Sequence, residues 1–203
     1  MGIKFILATA NEGKIGEMRE ILSALGIDVT TRGEMGIDLD VEETGSTFME
    51  NALLKARAIC RASGLPAIAD DSGLMVDALG GAPGVYTSSY GAEDLDGAGR
   101  NAYLLNNMQN IEQRGATFVS TIVCAFPDGG VLSAVGKCRG EIAEAPRGVN
   151  GFGYDPVFYI RELGKTMAEL SNDDKNAISH RGAALREFAR LLNERRLERG
   201  IGL

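Results

Sequence analysis

The first predicted unit of the chain is a strand followed by a helix. Residues 3–8 form a short apolar run rich in strand-forming side chains, and it ends in the polar turn Thr9-Ala10-Asn11. Apolar residues then recur at helical spacing from Ile15 to Leu25, and Gly26 predicts the end of that helix. A strand, a polar turn and a helix in this order indicate the opening of an α/β unit.

A second helix is predicted from Thr47 and Glu50, which have the spacing of a capping box. Its predicted buried face consists of Met49, Ala52, Ala56, Ile59 and Cys60. A short strand at 67–69 follows and ends in the acidic pair Asp70-Asp71. Glycines are frequent from residue 73 to residue 91, which predicts a structured loop there.

The rest of the pattern adds two more helices and three strands. The predicted elements are a helix at 94–111, a strand at 117–126, its hairpin partner at 131–138, a strand at 156–160 and a helix at 181–199. Helices that flank a mixed sheet define the α/β class. No linker-like segment interrupts residues 1–203, so we predict a single domain.

Charge and hydropathy restrict the partners of the protein. The 203 residues include 21 Lys and Arg against 28 Asp and Glu, a net charge of −7. Nucleic-acid-binding proteins usually carry the opposite balance, so we expect no nucleic acid partner. Small anionic ligands remain possible, because a few cations and backbone N–H groups can hold one phosphate cluster. No apolar stretch approaches the roughly 20 residues that span a bilayer, so no membrane association is expected.

Cysteine usage indicates a reducing compartment. The three cysteines form no CxxC pair and cannot all pair within one chain. We therefore expect them to be packing residues, and the cytoplasm is the expected location.

Two segments have the chemistry of a phosphate and metal site. The turn from Thr9 to Lys14 lies at a predicted helix N-terminus, where free N–H groups and the helix dipole favour an anion, although an N-cap with a solvated lysine is an equally simple interpretation. Two acidic pairs, 42–43 and 70–71, come from separate segments, as a Mg²⁺ site requires. Both pairs could instead be turn or cap residues.

Two further segments could bind a base. Aromatic residues alternate with glycines in Gly151-Phe152-Gly153-Tyr154-Asp155, a surface on which a purine could stack. Lys175 and the run Ser179-His180-Arg181 add polar groups at the start of the last helix. A glycine turn with core aromatics and a helix cap with exposed charges are the alternatives. Because His180 is the only histidine, histidine-rich zinc sites are excluded.

Taken together, these segments resemble the inosine triphosphate pyrophosphatase family, the XTP/dITP diphosphatases. The similarity extends from residue 9 to about residue 185 and is carried by TANEGK, EETGSTFMENALLKA, IADDSGLMVDALGGAPGVYTSS, GFGYDPVF and KNAISHRGAAL. The resemblance implies a two-lobed α/β fold with a long mixed sheet, a nucleotide cleft between the lobes and a homodimer. It also implies Mg²⁺-dependent hydrolysis of ITP, dITP and XTP to the monophosphate and pyrophosphate, which clears deaminated purines from the nucleotide pool, with Mn²⁺ as a substitute for Mg²⁺.

The resemblance also implies roles for individual residues. Asp71 becomes the general base and, with Glu43, a metal ligand. The residues implied to bind substrate are Thr9, Ala10, Asn11, Glu12, Gly13, Lys14, Lys55, Ser72, Phe152, Gly153, Tyr154, Asp155, Lys175, His180 and Arg181. The choice of Glu43 over Glu42 rests on alignment by eye.

One departure from the family pattern leaves alternatives open. Ser89 stands where relatives often have arginine in an S-A-R-Y sequence, so turnover or loop order could differ here. A pyrophosphatase with another base preference, such as dUTP, and a non-catalytic nucleotide-binding module are the alternative functions.

Overall fold

The computed structural model describes residues 4–92 and 94–198 of the chain, and these residues form an α/β fold. The strands are β1 (Phe5–Leu7), β2 (Val29–Thr31), β3 (Ala67–Val76), β4 (Gly115–Ala125), β5 (Val131–Ile142), β6 (Phe158–Ile160) and β7 (Lys165–Thr166). The α-helices are α1 (Glu12–Ala24), α2 (Phe48–Ser63), α3 (Gly97–Asn107), α4 (Asn172–Ile178) and α5 (His180–Glu198). The predicted fold class is confirmed.

The strands form one mixed sheet in the order β2-β1-β3-β4-β5-β6-β7. Strand β1 runs parallel to both β2 and β3, with Ile6 opposite Thr30 and Ala67. Strands β5, β6 and β7 pair antiparallel, with Tyr159 opposite Glu141 and Thr166. The connection between the parallel neighbours β1 and β2 carries α1. The connection from β2 to β3, which lie on either side of β1, carries α2.

The described chain divides into two compact units. Unit 1 contains residues 4–71, 120–136 and 181–198, and unit 2 contains 72–92, 94–119 and 137–180. Three of the four boundaries fall inside strands β3, β4 and β5, and the fourth falls between His180 and Arg181. The chain therefore passes between the units without a linker.

Each unit has its own hydrophobic core. In β1 of unit 1, Phe5 and Leu7 pack with α1 and α5, whereas Ile6 packs with α2, because alternate residues of a strand face opposite sides of the sheet. The unit 2 core includes Leu74, Val76, Leu104, Phe118 and Phe158. The three free cysteines, Cys60, Cys124 and Cys138, are all buried within these cores, which confirms them as packing residues.

The predicted strand at 67–69 is too short. Strand β3 continues to Val76 because Leu74 and Val76 alternate into the core of unit 2. Asp70 and Asp71 therefore lie within a strand and not beyond its end, and the predicted loop begins only after Val76.

Other predicted boundaries also change. The helix predicted at 94–111 begins at Gly97, where the Asp96 carboxylate caps the N–H of Gly99 at 2.7 Å, and it ends at Asn107. The capping box of α2 is confirmed, but Met49 is exposed and Asn51 joins the buried face. Strand β2 has no counterpart in the predictions, and the predicted ends at Ile3 and Arg199 lie outside the described residues. Within 4–92 and 94–198, no helix is long and apolar enough to cross a membrane.

Candidate active site

The turn between β1 and α1 is the N-terminus of α1. Asn11 is the N-cap residue, and its Oδ1 accepts a hydrogen bond from the Lys14 N–H at 3.0 Å. The Asn11 N–H donates to Thr9 Oγ1 at 3.2 Å. The Lys14 side chain extends inward and its Nζ lies 2.8 Å from Asp70 Oδ2. Thr9 to Lys14 are thus one ordered turn at the end of β1, with an ammonium group held by a buried carboxylate.

Asp70 is the centre of a buried charge network in unit 1. Its Oδ2 contacts Lys14 and, at 3.2 Å, Arg181 Nη2, while Oδ1 accepts a hydrogen bond from the Ser120 hydroxyl. Arg181, 1% exposed, also pairs with Glu17. Burial alone would raise the pKa of Asp70, but Arg181 and Lys14 hold it well below its usual value. Asp70 is therefore a permanently charged partner for two cations and is poorly suited to take up a proton.

Asp71 belongs to a second charge cluster in the same unit. Lys55 on α2 joins two carboxylates, because its Nζ lies 2.8 Å from Asp71 Oδ1 and 3.1 Å from Glu43 Oε2. Glu43 precedes the capping box, and the Gly45 N–H donates to Asn51 Oδ1 at 2.8 Å, which ties this segment to α2. Glu43, and not its neighbour Glu42, therefore lies with Asp71.

The environments of these two carboxylates shift their pKa values in opposite directions. Burial raises the pKa of Asp71 to about 6, although Lys55 opposes the shift, and the negative charge of Glu43 adds to it. Burial would also raise the pKa of Glu43, but Lys55 and a hydrogen bond shared with Asp71 lower it. Two carboxyl groups that interact and titrate apart are a common basis for acid–base chemistry.

The carboxylates of Glu43 and Asp71 fit a Mg²⁺ site only if water or phosphate oxygens complete it. Within the described residues, no group of three or more His, Cys, Asp or Glu side chains is arranged to hold a metal ion. Glu43 and Asp71 present carboxylate oxygens from a loop and a strand, and Mg²⁺ commonly uses one or two carboxylates together with water and phosphate oxygens. The pair therefore fits a Mg²⁺ ion that arrives with a phosphorylated substrate and does not fit a closed protein cage.

Unit 2 contains a separate cluster around Asp155. Lys175 on α4 pairs with Asp155 Oδ2 in a buried contact, and the same oxygen accepts a hydrogen bond from the Phe152 N–H at 2.8 Å. Lys175 Nζ also lies 4.8 Å from the centroid of the Phe152 ring. Gly151 has a φ of +72°, and a Cβ there would collide with the Asp155 carboxylate, which is why glycine is required. These contacts fix the conformation of residues 151–155, which we call the aromatic–glycine segment.

Two further contacts order this part of unit 2. The His180 ring stacks on Phe118, with centroids 4.7 Å apart and planes inclined by 11°. The Tyr154 hydroxyl donates to the Thr87 carbonyl at 3.1 Å. The predicted base-binding residues Phe152 to Asp155, Lys175 and His180 thus all belong to unit 2, together with Ser72, whereas Arg181 belongs to unit 1.

Sequence reasoning missed several members of these clusters. Glu17 carries a weak signal, since it lies three residues after Lys14 and so on the same side of α1. Ser120 carries another, because it is a polar residue inside a strand buried on both faces. Asn101, whose Nδ2 donates to the Gly153 carbonyl at 3.1 Å, carries no signal in the sequence.

Comparisons with known proteins agree on one family. The model of the Ham1 family matches residues 5–191. A dITP/XTP pyrophosphatase of Thermus thermophilus is 51% identical over 187 residues, covering 91% of this chain and 89% of the relative. The dITP/XTP pyrophosphatase of Bacillus subtilis is 46% identical over 189 residues, covering 92% and 96%. The solved HAM1 protein from Coxiella burnetii has a TM-score of 0.86 and 43% identity, covering 95% of this chain and all of that one.

Proposed function

The chain belongs to the Ham1 family, and from that membership we propose that it hydrolyses non-standard purine nucleoside triphosphates, namely ITP, dITP and XTP. The products are the nucleoside monophosphate and pyrophosphate, and the reaction removes deaminated purines from the nucleotide pool. The resemblance inferred from the sequence is confirmed by the family match. The observation that carries the proposal is the identity of about half of all residues with dITP/XTP pyrophosphatases along nine-tenths of the chain.

We assign the role of general base to Asp71. A water that attacks the α-phosphorus must lose a proton, and a positioned carboxylate can accept it. A bound Mg²⁺ would lower the pKa of Asp71 and also make the attacking water more acidic. In the metal-free protein Asp71, with its pKa raised to about 6, is ionised at mildly alkaline pH and is more basic than an ordinary carboxylate. Asp70, whose pKa is held far lower by two cations, lacks this property.

The cations of unit 1 are assigned to the triphosphate. Lys14 and the N-terminal N–H groups of α1 form one positive end, and Lys55 provides a second cation beside Asp71. Both ammonium groups are already held by carboxylates, so little ordering remains for substrate to impose. Charge that develops on the leaving pyrophosphate is stabilised by these groups.

Glu43 and Asp71 are the residues that would hold Mg²⁺, with Mn²⁺ as a substitute. When bound, the ion supplies Lewis-acid stabilisation of phosphate oxygens and lowers the pKa of bound water. Two carboxylates share the single positive charge of Lys55. This supports the assignment, because a divalent cation would balance their two negative charges better than Lys55 alone.

Base recognition is assigned to unit 2. The partly buried Phe152 ring offers a stacking surface, and Lys175 and His180 place donor groups in the same unit. A 6-oxo purine is favoured by donors at its edge, whereas a 6-amino group is repelled. Arg181 belongs to unit 1, where it is buried and pairs with Asp70, so we also assign it the role of holding that carboxylate in its charged form.

We further propose a cytoplasmic homodimer. Size-exclusion chromatography with light scattering tests the dimer: twice the 21.5 kDa mass of the chain supports it, and a single chain mass contradicts it.

Pyrophosphate release tests the activity. The assay compares ITP, dITP and XTP with ATP, GTP and dUTP at mildly alkaline pH, with Mg²⁺ or with EDTA. A metal-dependent preference for the first three supports the proposal, and preferred release from dUTP contradicts the purine assignment. The Asp71→Asn variant should lose turnover but retain nucleotide binding. Nucleotide binding by the unmodified chain without pyrophosphate release would establish a binding module instead.

A further inference from the structure

Asn51 is a polar residue on the buried face of α2. Only 3% of its surface is exposed, and its neighbours on that face, Ala52 and Ala56, pack into the core of unit 1. A buried amide is costly unless it is hydrogen-bonded. Asn51 Oδ1 accepts a hydrogen bond from the Gly45 N–H at 2.8 Å. This bond joins α2 to the segment that precedes its capping box.

Within the described part of the chain, the bond is the backbone attachment nearest to Glu43. No backbone N–H from residue 38 to residue 44 donates a hydrogen bond to a described residue. On the N-terminal side the nearest bonded backbone group is the Leu39 carbonyl, which accepts from Arg32 Nη1 at 2.8 Å. The backbone that carries Glu43 is therefore fixed at Gly45, two residues away, more closely than on its other side.

Gly45 also packs directly on the first turn of α2. A Cβ on Gly45 would lie 2.6 Å from both Asn51 Oδ1 and Glu50 Cβ, so this close approach requires glycine. The next N–H, that of Ser46, donates to Glu50 Oε2 at 2.7 Å. Because the core contacts of α2 hold the helix in place, the Gly45–Asn51 contact transmits that position to the segment before it.

Lys55 lies one turn after Asn51 on the same side of α2. Its Nζ contacts the carboxylates of Glu43 at 3.1 Å and Asp71 at 2.8 Å. Asp71 belongs to β3 and is buried, whereas the Glu43 side chain is 46% exposed on an irregular segment. Glu43 is thus the carboxylate whose position needs support. Lys55 alone is a poor support, because its flexible side chain meets the same oxygens for which a divalent cation competes.

We propose that Asn51 is a positioning residue for the divalent cation: by bonding the Gly45 N–H, it holds the backbone that keeps Glu43 beside Asp71. Mg²⁺ demands near-ideal ligand geometry, so a loosely held carboxylate weakens its binding. Groups that support metal ligands from behind typically contribute roughly 10- to 100-fold to metal affinity or activity. The inference deepens the proposed function and rests on its assignment of Glu43 and Asp71 to the metal.

The test measures the dissociation constant of Mn²⁺ in the Asn51→Leu variant without nucleotide. The electron paramagnetic resonance signal of free Mn²⁺ gives both this constant and the number of sites. Leucine retains the approximate size of the side chain but removes the acceptor. We expect the dissociation constant to rise about tenfold. A smaller folded fraction lowers the number of sites and leaves the constant unchanged. A constant within about twofold of that of the unmodified protein overturns the proposal.

Gly45→Ala tests the same contact from its other side. The added Cβ has no room beside Asn51 Oδ1 and Glu50 Cβ, so it displaces the segment without altering the Asn51 side chain. We expect the same rise in the Mn²⁺ dissociation constant. This variant also covers failure of Asn51→Leu to fold, which circular dichroism would reveal. An unchanged constant in folded Gly45→Ala overturns the proposal, because the position of Gly45 would then not matter for the metal.

Thr47→Ala is the matched control. Thr47 Oγ1 accepts a hydrogen bond from the Glu50 N–H at 3.2 Å, so the substitution weakens the same end of α2 but leaves the Gly45–Asn51 bond in place. We expect lower stability and an unchanged Mn²⁺ dissociation constant. Equal losses of Mn²⁺ affinity in Thr47→Ala and Asn51→Leu would overturn the proposal by assigning the effect to the helix end as a whole.

Pyrophosphate release from ITP separates this inference from the proposed function. If the unmodified protein binds Mn²⁺ but releases no pyrophosphate, the proposed function fails, and the comparison of Mn²⁺ affinities still decides the role of Asn51. If the unmodified protein is active and the variants keep its Mn²⁺ affinity, only the role of Asn51 fails. Absence of Mn²⁺ binding by the unmodified protein overturns the metal assignment and the role of Asn51 with it.

Discussion

Isosteric Asp→Asn substitutions at the two neighbouring aspartates should change stability in opposite directions. Both side chains are buried in β3, at 1% and 6% exposure. Asp70 is held charged by Arg181 and Lys14, whereas burial disfavours the charge of Asp71. Asp70→Asn should therefore destabilise the protein, and Asp71→Asn should stabilise the metal-free protein while it removes activity.

The magnitudes follow from the contacts. Breaking a buried ion pair from one side costs about 3–5 kcal/mol, and we expect about 3 kcal/mol for Asp70→Asn because Glu17 still pairs with Arg181. In a chain of this size that loss lowers Tm by about 6–12 °C. For Asp71, a pKa raised from 3.8 to about 6 corresponds to about 3 kcal/mol of unfavourable ionisation. Since Lys55 loses one of its two partners, we expect a net gain of about 1–2 kcal/mol for Asp71→Asn.

The pH dependence of stability checks whether Asp71→Asn raises or lowers the free energy of unfolding. Between pH 3.8 and about 6 folded Asp71 binds more protons than unfolded Asp71, so its contribution to stability falls as pH rises through this window. The advantage of Asp71→Asn over the unmodified protein should therefore grow from about pH 4 to about pH 6 and then remain constant.

The assay is urea unfolding of the unmodified protein and both variants at pH 4 to 8 in EDTA, followed by circular dichroism. Equal destabilisation by the two substitutions would refute the reasoning, because it would mean that the ion pair with Lys55 outweighs the burial cost of the Asp71 charge, as the cations do at Asp70. A stable and inactive Asp71→Asn protein would show that this carboxylate is retained for chemistry at the expense of stability.

Three further predictions concern other parts of the fold. Thr47→Ala should lower stability by about 1 kcal/mol in urea unfolding through loss of the α2 capping box, while Thr47→Ser should retain it. Hydrogen bonds from Arg19 and from the Thr31 N–H lower the pKa of Glu34 to about 2. The contribution of Glu34 to folding stability is therefore complete above pH 4.5 and is lost as pH falls through about 2. Glu34→Gln should make unfolding stability less dependent on pH in this acidic range. The three cysteine thiols should resist Ellman's reagent at pH 8 until urea is added, because they are buried and burial raises the pKa of Cys138 to about 11 and that of Cys124 further. Rapid labelling of the native protein would contradict their assignment as core residues.

Local features could be predicted from sequence because their partners lie within a few residues. The capping box of α2 joins Thr47 to Glu50, and the N-cap of α1 joins Asn11 to Lys14, three residues apart in both cases. Such contacts form within one turn of helix and depend little on the rest of the fold. The order of the family motifs in the sequence was likewise enough to identify the family.

The extent of β3 depended on distant residues. A strand ends where its neighbours and its core contacts end, and Leu74 and Val76 are kept in β3 by the unit 2 core, which contains Leu104 and Phe158. Propensity near glycine favours a loop, and tertiary packing overrides it.

The distinct roles of Asp70 and Asp71 were also set by the tertiary structure. Adjacent residues of a strand point to opposite faces, so the two carboxylates must differ once β3 extends through Asp70 and Asp71, where the sequence predicted that the strand had already ended. The sequence does not say which cations each one meets, because Lys14 and Arg181 reach Asp70 while Lys55 reaches Asp71 from separate helices. The pKa of a buried carboxylate is set by burial and by charges within a few ångströms, and only the folded chain brings those charges together.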